Sequence, residues 1–90
     1  MAKLDLARDA LKFVENLPAK QFRKIVVRVL ELAREPRPAD SQRLQGYPYF
    51  RIDVGEYRVV YQLEGDTVRV LVIGKRNDDE VYRRLRRKEK

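Results

Sequence analysis

Apolar residues in the first third of the chain recur at helical spacing. In the first segment they are Ala7, Ala10, Leu11, Val14 and Leu17, and Pro18 follows directly. Such spacing marks one face of an α-helix, and proline ends the run. A second apolar face between Ala19 and Arg34 consists of Phe22, Ile25, Val26, Val29, Leu30 and Ala33. The pattern therefore predicts two helices, and their short connection predicts an antiparallel helical hairpin.

The middle of the chain changes to strict alternation, which is typical of strands. Four glycines punctuate it at intervals of 9, 10 and 9 residues. We predict three strands, at residues 49–54, 57–63 and 67–73, and a short strand around Leu4 and Leu6 before the first helix. Residues 67–73 are apolar on both faces, which favours the central, most buried position in an antiparallel sheet.

The segment Asn77-Asp78-Asp79-Glu80 predicts a closing helix. Asn is a good N-cap, Glu follows three residues later, and Val81 and Leu85 then lie one helical turn apart. The three carboxylates could instead hold a metal ion. Consecutive side chains on one turn point in different directions and converge poorly on a cation, so capping is favoured and a magnesium-dependent nuclease is disfavoured.

These elements predict a single α+β domain over residues 1–90, in which a helical hairpin packs on an antiparallel sheet in the order β-α-α-β-β-β-α. The closing helix and tail, residues 77–90, are basic, and we expect the last turns to fray. The charged early sequence lacks the apolar core of a signal peptide. The longest apolar run, residues 70–73, is far too short to cross a bilayer, so we expect a cytoplasmic protein with no membrane contact.

Composition narrows the possible chemistry. The 90 residues include 21 Lys or Arg and 14 Asp or Glu, a net charge of +7, with no His and no Cys. His- and Cys-based metal sites, disulfides and His-dependent nucleophiles are thereby excluded. We expect no cofactor and no metal. The positive charge favours a polyanionic partner, either nucleic acid or an acidic protein.

The arginines become informative when they are sorted by strand face. Arg51 and Arg58 lie opposite the apolar rows of their strands, so an antiparallel pair puts them on one sheet surface. Arg76 follows the last strand, and Tyr82 lies six residues later on the closing helix. Guanidinium groups bind phosphate, and a nearby aromatic ring can stack on an unpaired base. The alternative is that these arginines are solvated or paired with carboxylates such as Glu56, Glu64 and Asp66.

Three sequence segments carry a resemblance to a known family. Residues 44–61, LQGYPYFRIDVGEYRVVY, the later VIGKR at residues 72–76 and EVY at residues 80–82 resemble the RelE/ParE toxin superfamily. The six-residue spacing from Arg76 to Tyr82 is similar to the RelE branch, which cleaves RNA. The helical hairpin fits the same family, so the resemblance covers the whole chain.

The resemblance implies the toxin of a type II toxin-antitoxin system: a metal-free endonuclease that cuts mRNA in the ribosomal A site and so inhibits translation. Its partners would be the ribosome, with its mRNA and rRNA, and an antitoxin similar to RelB from the same operon, bound in a hetero-oligomer. Arg58 would stabilise the phosphate, Arg76 the leaving group, and Tyr82 would stack on the base. We expect further RNA contacts from Lys75, Arg83, Arg86 and Arg87.

One position departs from the family pattern. Where the best-known relatives carry two lysines, this chain has Arg51 and Asp53. Arginine stays protonated and is a poor base, so Arg51 would hold phosphate and Asp53 would be the general base. Pairing of Asp53 with Arg51 or Arg58 is the other interpretation of this carboxylate.

A second function fits the same superfamily. A ParE-type toxin would bind DNA gyrase without catalysing a reaction, and it would not require the pair formed by Arg76 and Tyr82. The sequence features thus favour an RNA endonuclease and leave gyrase binding as the alternative.

Overall fold

The computed structural model, which describes residues 1–77 and 79–88, contains one five-stranded sheet and three helices. The strands are β1 (Lys3–Leu6), β2 (Gln42–Arg43), β3 (Phe50–Val54), β4 (Tyr57–Glu64) and β5 (Thr67–Lys75). The helices are α1 (Arg8–Glu15), α2 (Ala19–Arg34) and α3 (Glu80–Lys88). This arrangement confirms the predicted α+β fold, with α1 and α2 preceding an antiparallel meander of β3, β4 and β5.

The strand order, β1-β5-β4-β3-β2, differs from the prediction in three respects. β1 pairs with β5 in parallel, so the sheet is mixed. β4 takes the middle position predicted for β5, because it pairs with β3 on one side and with β5 on the other. β2 was not predicted, since its two residues are too few to show alternation.

The sheet has a hydrophobic cluster on each face. The first cluster joins the sheet to α1 and α2 through side chains that include Val14, Ile25, Val29 and Leu32. The second cluster joins the sheet to α3 and contains Leu44, Tyr49, Val60, Val72, Val81 and Leu85. α3 therefore packs on the face opposite the other two helices, and it covers part of the surface that carries Arg51 and Arg58.

β4 serves both clusters because successive side chains of a strand point to opposite faces, and its adjacent Val60 and Tyr61 are both fully buried. The register between β4 and β5 shifts at this point and skips Leu71, so the extra residue lies in β5. Val60 belongs to the second cluster and Tyr61 to the first. The Tyr61 hydroxyl donates to the carbonyl oxygen of Pro36 at 2.8 Å, so the loop after α2 is held against the sheet.

The predicted apolar faces of α1 and α2 are buried next to the sheet and partly exposed further from it. Ile25, Val29 and Ala33 are buried as predicted, and Leu32 is buried although it was assigned to no face. Leu11, Phe22 and Leu30 were expected to be covered, yet each is at least 39% exposed. The sheet is too small to cover the whole apolar arc of both helices.

α3 begins later than predicted. The backbone N–H of Arg83 donates to the carbonyl of Asp79 at 2.9 Å, so Asp79 occupies the N-cap position predicted for Asn77. Asp78, the first residue of the predicted acidic triplet, lies outside the described residues. The helix continues to Lys88 without the fraying expected of residues 83–88, while Glu89 and Lys90 also lie outside the described part.

No helix in residues 1–77 and 79–88 is long and apolar enough to cross a bilayer.

Candidate functional site

Five predicted residues meet on the α3 face of the sheet: Arg51, Asp53, Arg58, Arg76 and Tyr82. The antiparallel register of β3 and β4 pairs Asp53 with Arg58, which places both side chains on one face. Arg51 lies two residues before Asp53 and shares that face. Arg76 follows β5, where its backbone N–H donates to the Glu56 carbonyl at 2.9 Å. Tyr82 comes from the first turn of α3.

Asp53 is the centre of this group. One carboxylate oxygen accepts from Nε of Arg58 at 2.9 Å. The other lies 3.7 Å from Nη1 of Arg51 and 3.9 Å from Nη1 of Arg76. Three guanidinium groups are thus gathered around one carboxylate, and they are held there by attraction to it rather than to the predicted Glu56, Glu64 or Asp66.

The surroundings of Asp53 make it a weak proton acceptor. The hydrogen bond from Arg58 and the positive charges of Arg58, Arg51 and Arg76 lower its pKa, against an opposing effect of partial burial. A carboxylate with a lowered pKa binds a proton less readily than an ordinary one. The geometry therefore favours the second interpretation of Asp53, pairing with the arginines, over the role of general base.

Arg58 is the least exposed of the three arginines, with 15% of its side chain accessible to solvent. Its Nη1 donates to the Tyr82 hydroxyl at 2.6 Å, and the guanidinium carbon lies 5.9 Å from the centre of the Tyr82 ring. The hydrogen bond to Asp53 raises the pKa of Arg58 further, and the neighbouring Tyr82 acts in the same direction. Arg58 is consequently a fixed positive charge.

Arg58 also keeps donors for a ligand. A guanidinium group has five N–H bonds, and contacts to Asp53 and Tyr82 account for three of them. One N–H on each terminal nitrogen has no assigned partner among the described residues. Together with Arg76, whose side chain is 53% exposed, they can bind an anionic oxygen beside the Tyr82 ring.

The residues predicted to add RNA contacts are divided between the two faces. Arg83, Arg86 and Arg87 are exposed on α3, and Arg83 pairs with Glu80 at 2.9 Å. Lys75 is also exposed, but its register partner is Tyr57, which packs against the first cluster. The Cβ of Lys75 therefore points away from the face that carries Arg58.

Two neighbours of the site were not predicted. Gln42 in β2 accepts from Nη2 of Arg51 at 2.5 Å, which fixes that arginine at the edge of the sheet. Arg84 in α3 is 9% exposed and bonds to Asp9 in α1. Gln42 has no sequence signal, because its strand is only two residues long. Arg84 has one, since it lies three residues after Val81 and next to Leu85, on the apolar face of α3.

The described residues contain no group of three or more His, Cys, Asp or Glu side chains that could hold a metal ion. The site instead combines three cations with one carboxylate, a net charge of +2, and a phenol that has one face next to Arg58. That combination suits a phosphodiester with an adjacent unpaired base.

Residues 2–80 match the family described as ParE toxin of type II toxin-antitoxin system. Among curated proteins, no sequence matches this chain significantly.

Solved structures of toxins share the fold. A free-state mutant of the E. coli toxin RelE is similar with a TM-score of 0.81 and 29% identity, covering 98% of each chain. The intact E. coli RelBE toxin-antitoxin complex gives a TM-score of 0.74 and 27% identity, covering 87% of this chain and 100% of that one. The archaeal RelE-RelB complex from Pyrococcus horikoshii gives 0.75 at 23% identity, covering 84% and 96%, a likeness of fold alone.

Proposed function

Because this chain belongs to the ParE toxin family of type II toxin-antitoxin systems and has the RelE fold, we propose that it is a toxin that cleaves mRNA in the ribosomal A site. The family match agrees with the predicted RelE/ParE superfamily. The observation that carries the finer proposal is the contact between Arg58 and Tyr82, which puts a phosphate-binding cation beside a base-stacking ring.

The proposed reaction is a transesterification within the RNA strand. The 2′-hydroxyl gives its proton to water and its oxygen bonds to the adjacent phosphorus, while the bond from phosphorus to the 5′-oxygen breaks. The 5′-oxygen takes up a proton from water, which leaves a 2′,3′-cyclic phosphate and a 5′-hydroxyl. Negative charge grows on the phosphate oxygens, so fixed donors aimed at them lower the barrier. In this proposal Arg58 supplies those donors, Arg76 stabilises the departing 5′-oxygen, and Tyr82 orients the base.

Asp53 has a positioning role in this proposal. Its carboxylate holds Arg58 on one side and lies within 4 Å of Arg51 and Arg76 on the other. Without this carboxylate, the three positively charged side chains would repel one another, and each would adopt many conformations. A prearranged set of cations avoids that reorganisation during the reaction.

We also propose that an antitoxin covers this chain in a hetero-oligomer. One similar E. coli structure and one archaeal structure of the same fold are toxin-antitoxin complexes. Here the helices leave Leu11, Phe22 and Leu30 exposed within a strongly basic protein. An amphipathic, acidic segment would complement both features. The ribosomal target places this activity in the cytoplasm.

Primer extension on mRNA translated with and without the purified protein tests the proposed activity. We expect cuts between codon positions that require ribosomes. The double variant Arg58→Ala/Arg76→Ala should lose cleavage by at least about a hundredfold, because removing one oxyanion donor alone costs about that much. It should still bind the antitoxin. Arg23→Ala/Arg69→Ala removes the same charge elsewhere and should retain cleavage.

The results would separate the two functions. Supercoiling that fails before translation, with intact mRNA, would overturn cleavage and favour the gyrase-binding function suggested by the ParE family match. Equal loss of cleavage and antitoxin binding in the Arg58/Arg76 variant would place these arginines in the antitoxin interface instead.

A further inference from the structure

Arg84 is the most deeply placed charge described in α3. It is 9% exposed, whereas its neighbours Arg83, Arg86 and Arg87 are all exposed. Nε of Arg84 donates to Oδ1 of Asp9 at 2.9 Å, and Nη2 donates to the same oxygen at 2.5 Å. Nη2 also lies 2.6 Å from the carbonyl oxygen of Ile73. One side chain thus links α3 to α1 and to β5.

The absence of a side chain at Gly74 makes this link possible. A Cβ placed there would lie 3.0 Å from Nη1 of Arg84 and 2.6 Å from Cγ2 of Val81. Arg84 passes over this glycine and ends against α1, where its guanidinium carbon is 5.2 Å from the centre of the Phe13 ring. These contacts therefore fix the distance between α3 and β5.

The position of the Tyr82 side chain depends on how α3 packs on the sheet. It lies two residues before Arg84 on α3, and its hydroxyl contacts Arg58, which belongs to β4. A shift of α3 would move the phenol away from Arg58 while leaving the arginines around Asp53 in place. The distance between the ring and Arg58 is thus set by whatever anchors the helix.

We propose that Arg84, held by Asp9, is a positioning residue that fixes Tyr82 against Arg58. This inference rests on the proposed cleavage function for its catalytic consequence, although the Tyr82 position itself is measurable without it. A simple role as an RNA-contacting cation makes a different prediction, because Asp9 would then oppose RNA binding and its removal would help. Positioning requires that loss of either partner is harmful.

The experiment uses four full-length variants: Arg84→Met, Asp9→Asn, and the matched pair Arg69→Met and Asp5→Asn. Arg69 and Asp5 form an Arg–Asp contact at 3.0 Å between β5 and β1, but both are about half exposed and remote in the sequence from α3. Each protein carries 3-fluorotyrosine at position 82, and the ¹⁹F resonance reports the surroundings of that ring. Cleavage of programmed ribosomes is measured in parallel.

We expect Arg84→Met and Asp9→Asn to move or broaden the ¹⁹F signal and to lower kcat about ten- to a hundredfold, with KM changed less than about threefold, because small misplacements of catalytic groups have effects of that size. The Arg69 and Asp5 variants should match the wild type in both measurements.

Thermal unfolding establishes which variants are folded, and Arg84→Lys, which retains the charge but not the fork of donors, provides a milder replacement. An unchanged ¹⁹F signal in folded Arg84 and Asp9 variants would overturn the proposal, as would opposite changes in kcat for the two. If the wild type leaves mRNA intact, the cleavage function fails while the ¹⁹F comparison still decides the position of Tyr82.

Discussion

At the scale of single residues, the site depends on one carboxylate, that of Asp53, which lies within 4 Å of three guanidinium groups. The motif identified Arg51, Arg58, Arg76 and Tyr82, and strand alternation alone put the first two on one face. The role of Asp53 could not be read from the sequence, because alternation fixes the face of a side chain but not its hydrogen bonds. Arg84 stands in a run of arginines that are otherwise exposed, although its position three residues after Val81 places it on the buried face of α3.

Replacement of Asp53 by Asn should destabilise the fold in a pH-dependent manner. The arginines lower the pKa of Asp53 in the folded chain below its usual value of 3.8. Its ionised form therefore stabilises the fold above that value, and the contribution is lost as the pH falls through the lower folded pKa. The carboxylate is about a third exposed and partly screened, so the loss at pH 7 should be about 1 kcal/mol or less.

Urea unfolding of the wild type and Asp53→Asn at pH 7 and near pH 3 checks this sign. The difference in unfolding free energy between the two proteins should shrink at the lower pH. A difference that is equal at both pH values would mean that charge pairing at Asp53 does not stabilise the folded chain.

At the scale of elements, packing determines which strands are neighbours, whereas the hydrophobic pattern of the sequence predicts only that each strand or helix exists. The periodicities of α1, α2 and the meander were strong enough to predict each element, whereas a four-residue strand such as β1 does not specify its neighbour. The closing helix was predicted from Val81 and Leu85, which are both fully buried. Its place opposite α1 and α2 follows from the split of apolar residues in β4 and β5 between the two clusters.

Gly74→Ala should displace α3. The added Cβ would lie 2.6 Å from Cγ2 of the buried, β-branched Val81, which has little rotamer freedom to move aside. We expect a loss of about 1–3 kcal/mol in unfolding free energy. We also expect faster tryptic cleavage at the arginines of α3 in an otherwise folded chain.

Gly65→Ala is the matched control. Gly65 has a φ of +61° with no atom within 4 Å of an added Cβ, so alanine there costs backbone strain of about 1–2 kcal/mol without touching α3. Similar tryptic cleavage of α3 in both variants would show that general destabilisation, rather than displacement of the helix, explains the result for Gly74→Ala.

At the scale of the whole molecule, most of the net positive charge lies in residues 69–90, and folding brings part of it next to carboxylates near the N-terminus. Residues 69–90 contain nine cations and four anions, so they hold +5 of the net +7. Two of those cations, Arg69 and Arg84, pair with Asp5 and Asp9 near the N-terminus. The remaining excess lies around Arg76 and on the outer surface of α3.

Binding to single-stranded RNA should therefore depend steeply on salt. Each phosphate contact adds about 0.7 to the slope of log K against log salt concentration. Arg86→Ala/Arg87→Ala should lower that slope by about 1.4, since both side chains are exposed on α3. Titrations at several KCl concentrations measure it, with Arg23→Ala/Arg69→Ala as a control of equal charge. An unchanged slope would remove these two arginines from the RNA-binding surface.

The order of the elements along the chain also has a consequence for biosynthesis. Arg58 and Asp53 lie in strands that are synthesised before α3, which carries Tyr82 and Arg84. A nascent chain that has reached only β5 therefore has Arg51 and Arg58 without Arg76, without the phenol and without the anchor to Asp9. The proposed catalytic group is completed only when α3 has left the ribosome and folded over Gly74, so the order of the elements would delay the proposed cleavage of mRNA until then.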